Sequence, residues 1–470
     1  MIDPAARDYK RVINRFVPST VLALIVSEVI LMITAYVIAI HFMSEIDPIV
    51  WLIFDDGLVR VLLLVGALLL GIYFQDLYTV IRPPSRSALI QQFCLVFGVG
   101  FLFQALLSYG APSLVLPRRT MIFGSILLII LLPAWRIMYS SLALRALAAD
   151  RLLFLGASQT ACRIAEHIQQ NPELGMMAIG FVADPDDGSP PRGTPLLGPL
   201  ERFREIVDRT RPDRVVVGLF ERRQKMPLLE LLDVNFSGVQ VEDAAVTFEQ
   251  VFHRVSTDQL RPSQLIFSRE LGPRPGTVQM QSLYSTVLAM TGVVILAPLM
   301  LLVALLVRLT SPGPALYRQL RVGRNGSLFS VYKFRSMRID AEKETGAVWA
   351  AKNDPRVTRL GKTLRRLRID ELPQLFNVLK GEMSIVGPRP ERPEFVATLS
   401  EQIPFYRQRH CIRPGITGWA QINHKYGDTI EDTVTKLEYD LYYIKNLSPS
   451  LDFYIIFQTL KVMVQQRGAQ

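Results

Sequence analysis

Four apolar segments near the N-terminus constrain the fold of this chain more than any other sequence feature. They lie at about residues 18–41, 57–74, 89–109 and 120–142. Each is close to the roughly 20 residues that an α-helix needs to cross the apolar core of a bilayer. Residues 1–150 are therefore predicted to form a four-helix transmembrane bundle.

Basic residues flank these segments and indicate which ends lie in the cytoplasm. They are Arg7, Lys10, Arg11 and Arg15 before the first segment, Arg82 and Arg86 after the second, and Arg145 and Arg151 after the fourth. Because cytoplasmic loops carry an excess of Lys and Arg, we expect both ends of the bundle in the cytoplasm. Arg118 and Arg119 oppose this orientation. No small-residue cleavage site follows the first segment, so we interpret it as uncleaved.

The net charge of the chain indicates which kinds of molecule it is suited to bind. The chain carries 52 Lys and Arg residues against 42 Asp and Glu residues, a net charge of +10. This excess suits nucleic acid, anionic lipid or phosphate-bearing substrates, and the apolar segments favour the last two. No nucleic-acid partner is expected, because the basic residues lie among turns and not along an aromatic platform. Cys94, Cys162 and Cys411 are too far apart for a metal knuckle, which fits a reducing compartment.

A second region, residues 151–267, alternates between strand and helix patterns. RLLFLGASQTACRIAEHI, residues 151–168, shows a buried strand, a small-residue turn and a helix. The alternation predicts a parallel α/β, Rossmann-like cytoplasmic domain. The turn keeps Gly156 of a dinucleotide fingerprint but has Ser158 where the second glycine lets the backbone approach a pyrophosphate. Cofactor binding stays open here, and a packing or oligomerisation module is the preferred interpretation; a homodimer is expected.

A further apolar helix follows the second region. The Pro and Gly content of residues 268–283 is typical of a linker, and residues 284–311 are apolar. A simple span would place the last part, residues 312–470, outside the cell. Pro298 removes a backbone hydrogen bond in mid-segment and favours a kink. A kinked helix that enters and leaves on one face would keep residues 312–470 in the cytoplasm, and the pattern alone does not decide between the two.

An acid pair precedes a helical pattern in RIDELPQLFNVLKGEMSIVGPRP, residues 368–390. The apolar face consists of Leu372, Leu375, Phe376 and Leu379. Asp370 is expected at or near the helix N-cap, with Glu371 beside it, and Gly381 is suited to end the helix. In the purely structural alternative, Asp370 only caps the helix and Glu371 only complements its dipole.

Basic residues around the pair argue for more than capping. They are Lys333, Arg335, Lys362, Arg365, Arg366, Arg368, Arg389 and Arg413, several of them next to prolines or glycines. This much positive charge beside a helix N-terminus suits a diphosphate. A carboxylate in such a field stays ionised and can attack phosphorus to give an acyl phosphate. The sequence has no His/Cys cluster, so Mg²⁺ is expected to offset charge, with Asp370 and Glu371 as its protein ligands.

Three blocks of the C-terminal part together resemble the bacterial sugar transferase family, the polyprenyl-phosphate hexose-1-phosphate transferases or monotopic phosphoglycosyl transferases. They are KFRSM at 333–337, RIDELPQLFNVLKGEMSIVGPRP at 368–390 and RPGITGWAQIN at 413–423. The resemblance covers residues 284–470 in detail. The preceding helices and Rossmann-like domain look like the large members of the family in capsule and exopolysaccharide pathways.

The resemblance implies ping-pong transfer of a hexose 1-phosphate from a UDP-sugar to undecaprenyl phosphate. Asp370 would attack the β-phosphate and release UMP, and Glu371 would act through Mg²⁺ or handle the acceptor's proton. Matches to the family's phosphate-binding positions are Lys333, Arg365 and Arg389, with Arg335 and Arg413 as further carry-overs. Glucose is the first expectation for the sugar and galactose the second.

The resemblance also implies a location. UDP-sugars are cytoplasmic, so residues 312–470 would form a mostly α-helical, monotopic catalytic domain on the cytoplasmic face of the bacterial inner membrane. The helix at 284–311 would then be re-entrant, with Pro298 as its hinge; the family's usual Ser-Pro break is Ala297-Pro298 here. Residues 448–464 would form a helix at the bilayer interface.

Two alternative functions predict different sequence features. A membrane-attached, NAD-dependent nucleotide-sugar epimerase or dehydratase needs an intact glycine fingerprint and a Tyr-x-x-x-Lys base, and residues 151–267 contain neither. A non-enzymatic scaffold of polysaccharide assembly needs no acid pair among arginines.

Overall fold

The computed structural model describes residues 19–43, 47–54, 56–75, 77–78, 86–146, 150–171, 174–219, 226–257, 275–339, 341, 356–424 and 429–464. The basic residues before the first apolar segment, Arg82 and linker residues 268–274 lie outside this part. The chain forms two compact units, Met1–Thr247 and Phe248–Gln470, which are described separately.

Helices occupy all four apolar segments predicted near the N-terminus. The helices in these segments are Ser19–Met43 (α1), Gly57–Phe74 (α3), Arg86–Gly110 (α4) and Arg118–Ala146 (α5), and a short helix, Pro48–Phe54 (α2), lies between the first two. A buried apolar cluster that includes Tyr36, Leu68, Phe93 and Leu128 lies among them. By length and composition, α1, α3, α4 and α5 could each cross a membrane. These helices identify the chain as a membrane protein.

A buried ion pair joins α1 to α5. Arg136 Nε lies 2.5 Å from Glu28 Oε1, and the two side chains are 2% and 0% exposed. Tyr78 Oη donates a hydrogen bond to Glu28 Oε2 at 2.7 Å, and Arg136 Nη1 donates to Leu77 O at 2.5 Å. A charged side chain inside an apolar segment is costly unless it is paired. The network therefore explains how these helices accommodate Glu28 and Arg136.

The second region contains a five-stranded sheet with the strand order β3-β2-β1-β4-β5. The strands are Asp150–Leu155 (β1), Met176–Val182 (β2), Leu196–Gly198 (β3), Arg214–Val217 (β4) and Gln240–Asp243 (β5). The helices of this region are Gln159–Gln170 (α6), Phe203–Thr210 (α7), Leu228–Phe236 (α8) and Ala244–Phe252 (α9). All paired strands are parallel, so the predicted parallel α/β fold is confirmed.

The turn between β1 and α6 forms a helix cap. Gly156 has a φ of +88°, and an added Cβ would lie 2.8 Å from the Leu219 side chain, which explains the glycine. Ser158 Oγ caps α6 by accepting a hydrogen bond from Ala161 N at 3.3 Å. Ser158 N donates to Gly218 O at 3.3 Å. Ser158, which replaces the second fingerprint glycine, thus has a structural role in the turn.

The second unit contains one long helix, Pro275–Thr310 (α10), with Pro298 inside it. Residues 275–283, expected to be linker, are part of this helix. The other helices are Arg359–Arg366 (α11), Gln374–Leu379 (α12), Pro393–Gln402 (α13), Trp419–Asn423 (α14), Ile430–Lys445 (α15) and Pro449–Val464 (α16). An antiparallel pair, Leu316–Val322 (β6) and Leu328–Phe334 (β7), and a parallel pair, Ser384–Val386 (β8) and Gly415–Thr417 (β9), complete it.

The last helix, α16, has one apolar face against the protein and another exposed. Leu451 and Ile455 are fully buried, whereas Phe453 and Leu460 are each 52% exposed. The Phe453 ring lies 5.7 Å from the Tyr284 ring of α10. The exposed apolar surfaces of α10 and α16 are therefore adjacent.

Gly361 lets α11 pack directly on the segment after β7. An added Cβ would lie 2.0 Å from Ser336 O. Although Ala is usually better than Gly in a helix by about 1 kcal/mol, we expect Gly361→Ala to lower the free energy of unfolding by roughly 1–3 kcal/mol through overpacking. Thermal unfolding beside Gly66→Ala, where a Cβ meets nothing within 4 Å, tests this. Equal stability of the two variants would contradict it.

Candidate active site

Asp370 and Glu371 lie in a 3₁₀ turn, Ile369–Glu371, that leads into α12. Glu371 N donates to Arg368 O at 3.2 Å, which helps to close the turn. The sequence pattern placed Asp370 at or near the N-cap of α12, but Pro373 holds that position and neither carboxylate caps the helix. Proline has no N–H and fits the start of a helix. The capping alternative therefore does not account for the acid pair.

Glu371 is the paired member of the two acids. Its Oε1 lies 2.7 Å from Arg389 Nη2 and 3.0 Å from Lys333 Nζ, and its Oε2 lies 3.8 Å from Arg368 Nη1. Burial alone would raise its pKa, but the cations Arg389, Lys333 and Arg368 outweigh burial and hold the pKa well below its ordinary value. Glu371 therefore stays ionised and orients these cations.

Asp370 is buried as well, at 8% exposure, but its carboxylate is not held. No described residue forms a hydrogen bond or an ion pair with it. Burial raises the pKa of Asp370 above its ordinary value, and the charge of Glu371 raises it further. The charges of Lys333, Arg365 and Arg389 act in the opposite direction and favour the ionised form. The pair thus consists of one carboxylate held by cations and one without a hydrogen bond or ion pair to any described residue.

Three of the five predicted phosphate-binding residues gather at this pair. Lys333 and Arg389 contact Glu371 directly. Arg365 acts on Asp370 through its charge, and its Nε donates to Ser336 Oγ at 2.9 Å. The sequence blocks at 333–337 and 368–390 therefore form one basic site around two carboxylates.

The other two predicted residues contact α10. Arg335 is 6% exposed, and its Nη2 donates to Val307 O of α10 at 3.3 Å and to Ser311 O and Ser311 Oγ, just after α10, each at 2.7 Å. Arg413 Nη1 donates to Ser282 Oγ at 2.7 Å. No contact among the described residues joins Arg335 or Arg413 to the acid pair. Their predicted role in binding the substrate phosphates stays a prediction.

Asn377, which the sequence analysis did not single out, fastens α12 to β7. Its Nδ2 donates to Ser330 O at 2.7 Å, and its Oδ1 accepts from Tyr332 N at 3.0 Å. The side chain is fully buried. Since Tyr332 directly precedes Lys333, these bonds set the position of Lys333 relative to Glu371. The sequence feature that could have indicated Asn377 is its position as a polar residue within the apolar run QLFNVL.

Arg409 and Arg321, also missed, hold the backbone around Arg389. Arg409 Nη2 donates to Arg389 O at 3.0 Å and to Asp440 Oδ2 at 2.7 Å. Arg321 Nη1 donates to Pro390 O at 3.1 Å. Arginine is suited to this because its planar fork donates several hydrogen bonds at once. The two contacts make Arg389 a fixed cation beside Glu371.

The block that contains Arg389 lies against the block that begins at Arg413. Strands β8 and β9 pair in parallel, with Val386 opposite Thr417. A Cβ on Gly415 would lie 2.1 Å from Gly387 N, and one on Gly387 would lie 2.6 Å from Arg413 O. Only glycine permits two backbones to approach so closely. The spacing of these glycines therefore has a packing reason.

The donor set suits a hard divalent cation only together with substrate oxygens. Within the described residues, no group of three or more His, Cys, Asp or Glu side chains could hold a metal ion. Mg²⁺ often binds through one or two carboxylates and the phosphates of a substrate. Asp370 and Glu371 supply two carboxylates, so the site fits Mg²⁺ bound with a diphosphate.

Known proteins resemble both units. The family model described as bacterial sugar transferase matches residues 277–466, and the model described as CoA-binding domain matches residues 71–233. A UDP-glucose:undecaprenyl-phosphate glucose-1-phosphate transferase of Xanthomonas campestris pv. campestris is 36% identical over 68% of each chain. A UDP-N-acetylgalactosamine-undecaprenyl-phosphate N-acetylgalactosaminephosphotransferase of Aeromonas hydrophila is 46% identical over 47% of this chain and 52% of that protein.

The match to a UDP-glucose:undecaprenyl-phosphate glucose-1-phosphate transferase of Escherichia coli (strain K12) is 34% identical and covers 63% of this chain and 64% of that protein. The matches thus cover 52–68% of the length of these relatives. The relatives that the chain resembles are named as undecaprenyl-phosphate sugar phosphotransferases. The chain belongs to the bacterial sugar transferase family, so the resemblance in its sequence blocks is confirmed.

Proposed function

We propose that the protein transfers a hexose 1-phosphate from a UDP-sugar to undecaprenyl phosphate and releases UMP. The observation that carries the proposal is the division of the acid pair: Glu371 is bound by Lys333 and Arg389, whereas Asp370 has no partner among the described residues. A nucleophile needs free lone pairs, and a diphosphate needs fixed cations nearby.

In the first half-reaction, an Asp370 carboxylate oxygen attacks the β-phosphorus of the UDP-sugar. The bond from that phosphorus to the bridging oxygen breaks, and UMP leaves with the bonding electrons. In the second half-reaction, an oxygen of undecaprenyl phosphate attacks the same phosphorus and releases the Asp370 carboxylate. Covalent catalysis of this kind divides one transfer into two displacements.

The other residues of the site bind and orient the phosphates. Arg389 and Lys333 lie beside Glu371 and face charge that develops at the diphosphate. Because the pKa of Glu371 is held well below its ordinary value, Glu371 is a weak base. We therefore assign it the role of holding these cations, not of accepting a proton from the acceptor.

Mg²⁺ belongs to the proposal as the ion that offsets the charge of the diphosphate. Asp370 and Glu371 would hold it, since they are the two carboxylates at the site. The remaining ligands would be phosphate oxygens and water, as is usual for this ion.

The proposal places the site on the cytoplasmic face of the bacterial inner membrane, where UDP-sugars are found. The N-terminal helices would form the transmembrane bundle, and α10 would enter and leave the bilayer on one face, with Pro298 as its hinge. The exposed apolar face of α16 would lie in the interface, at the depth of the acceptor phosphate. The α/β domain would support a homodimer.

Glucose 1-phosphate is the proposed cargo, and the product would enter exopolysaccharide or capsule synthesis. The names of the relatives in Xanthomonas and Escherichia specify glucose, and that of a Rhizobium leguminosarum relative specifies exopolysaccharide production. The Aeromonas relative is named for N-acetylgalactosamine, so this sugar belongs in the test beside galactose.

The test is UMP release by full-length protein in nanodiscs with Mg²⁺ and each of UDP-glucose, UDP-galactose and UDP-N-acetylgalactosamine. We expect one sugar to give up to one equivalent of UMP without undecaprenyl phosphate and many equivalents with it. UMP that appears only when the acceptor is present would contradict the covalent intermediate. Absence of UMP with all three sugars would contradict the proposed transfer.

A further inference from the structure

A second pocket lies at the opposite end of α12 from the acid pair. It encloses about 410 Å³ between the β6–β7 turn and the segment after α12. Its polar lining includes Arg324, Asn325, Ser327, Lys380, Glu382 and Arg413. Asp370 precedes α12 and Lys380 follows it, so a helix of 6 residues separates the two places. At 1.5 Å per residue the helix is about 9 Å long, more than the reach of one phosphate.

The cations of this pocket form no ion pair with an acid among the described residues. Within the part of the chain that the structure describes, Arg324, Lys380 and Arg413 form no ion pair. Lys380 Nζ donates to Tyr332 Oη at 2.6 Å, a neutral group. The pocket therefore differs from the acid site, where Lys333 and Arg389 form ion pairs with Glu371. Its cations are available to an anion from outside the chain.

The pocket lining also contains one acid, and one of its cations is oriented by a neutral hydroxyl. Glu382 lines the pocket, but its Oε2 accepts from Asn377 Nδ2 at 2.7 Å. With three cations and this one carboxylate, the lining carries a net charge of +2. Arg413 is oriented by Ser282 Oγ of α10, at 2.7 Å. A positive pocket with oriented donors suits a multiply charged oxyanion.

The position of Ser282 relates this pocket to the apolar surface of α10. The next residue, Leu283, is 69% exposed, and Val287 one turn later is 49% exposed. Leu328 in the pocket lining is also exposed, at 57%. Cations beside an exposed apolar helix surface match the headgroup layer of a bilayer, where anionic phosphates concentrate.

We propose that this pocket binds a phosphate group, either that of an anionic lipid headgroup or a free phosphate, at a site separate from Asp370. Arginine and lysine together provide a fork and a point charge for phosphate oxygens. The volume is in the range of small-ligand sites and exceeds what one phosphate fills, so it leaves space for the group esterified to it. The inference does not depend on the proposed transfer reaction.

The test is a binding titration of full-length protein in detergent with dihexanoylphosphatidylglycerol or inorganic phosphate, read by native mass spectrometry and calorimetry. We expect Arg324→Gln and Arg413→Gln each to weaken binding roughly 10-fold, because each removes a charged donor. Arg407→Gln, a change at an exposed arginine outside the lining, is the matched control and should bind as wild type does. Asp370→Asn should also bind normally, whatever its effect on UMP release.

The two ligands distinguish the sources of the phosphate. Saturable binding of the lipid that inorganic phosphate does not displace assigns the pocket to a headgroup, and displacement assigns it to phosphate in general. Arg324 has no described hydrogen bond from its side chain. The affinity of Arg324→Gln therefore reports on the pocket even if Arg413→Gln disturbs α10. Unchanged affinity for both ligands in Arg324→Gln, or equal weakening in Arg407→Gln, would overturn the proposal.

Discussion

Replacing Asp370 with Asn should reduce UMP release roughly 10³-fold or more without destabilising the protein. The substitution keeps the shape of the side chain but removes the nucleophilic oxygen charge. Since no described residue holds the Asp370 carboxylate, the neutral amide breaks no contact. UMP formation and thermal unfolding should be measured on one preparation, with Asp233→Asn, at an exposed acid of α8, as the control.

The direction of the stability change follows from the pKa of Asp370. Burial, and then the charge of Glu371, raise this pKa above the ordinary 3.8, so the folded state binds the proton more tightly than the unfolded state. Stability of the wild type therefore falls as the pH rises from the ordinary pKa through the folded-state pKa. Asp370→Asn lacks this loss, so at neutral pH it should unfold at the same temperature as wild type or a higher one.

Two results would contradict this account of Asp370. UMP release that survives the substitution would remove Asp370 as the nucleophile. A large fall in unfolding temperature would show that the carboxylate makes a stabilising contact. The pH profile gives a separate check: the acid limb of the transfer rate should lie above pH 3.8, because the attacking carboxylate must be ionised.

The sequence indicated which cations lie near the acid pair, because charge and motif order carry that information, while the roles of these residues stay predictions. Lys333, Arg365 and Arg389 lie at the acid pair, as the resemblance implied. Arg335 shows that a basic residue near the motif need not contact the acid pair. It directly follows β7, and its guanidinium donates to Ser311 at the end of α10.

The spacing of residues in the sequence could not predict which side chains hold the backbone of the site. Arg409 and Arg321 act on backbone carbonyls at positions 389 and 390, and a carbonyl is common to every residue type. The start of α10 was misjudged for a related reason. Hydropathy marks the part of a helix that suits the bilayer, and residues 275–283 are helical without being wholly apolar.

The substitution Glu371→Gln should destabilise the protein, unlike Asp370→Asn. It leaves Lys333, Arg368 and Arg389 without their shared carboxylate. Removing one partner of a fully buried ion pair costs about 3–5 kcal/mol. Because these cations are 23–29% exposed, solvent screens part of the loss, and we expect roughly 2–4 kcal/mol of destabilisation.

The pH dependence identifies the cause of that destabilisation. The folded-state pKa of Glu371 is well below the ordinary 4.5, so its stabilising effect is present above pH 4.5 and is lost as the pH falls through the folded-state pKa. The gap in unfolding temperature between wild type and Glu371→Gln should therefore be widest near neutral pH and shrink below pH 4.5. Glu401→Gln, at an exposed acid of α13, should show no gap.

A gap that did not change with pH would assign the loss to packing and not to charge. Equal stability of Glu371→Gln and wild type would mean that Lys333 and Arg389 do not depend on Glu371 for their positions. The two neighbouring substitutions thus separate the two roles. We expect Asp370→Asn to lose the transfer reaction without destabilisation, and Glu371→Gln to lose both the transfer reaction and stability. That result would mean that Asp370 reacts and that Glu371 organises the cations around it.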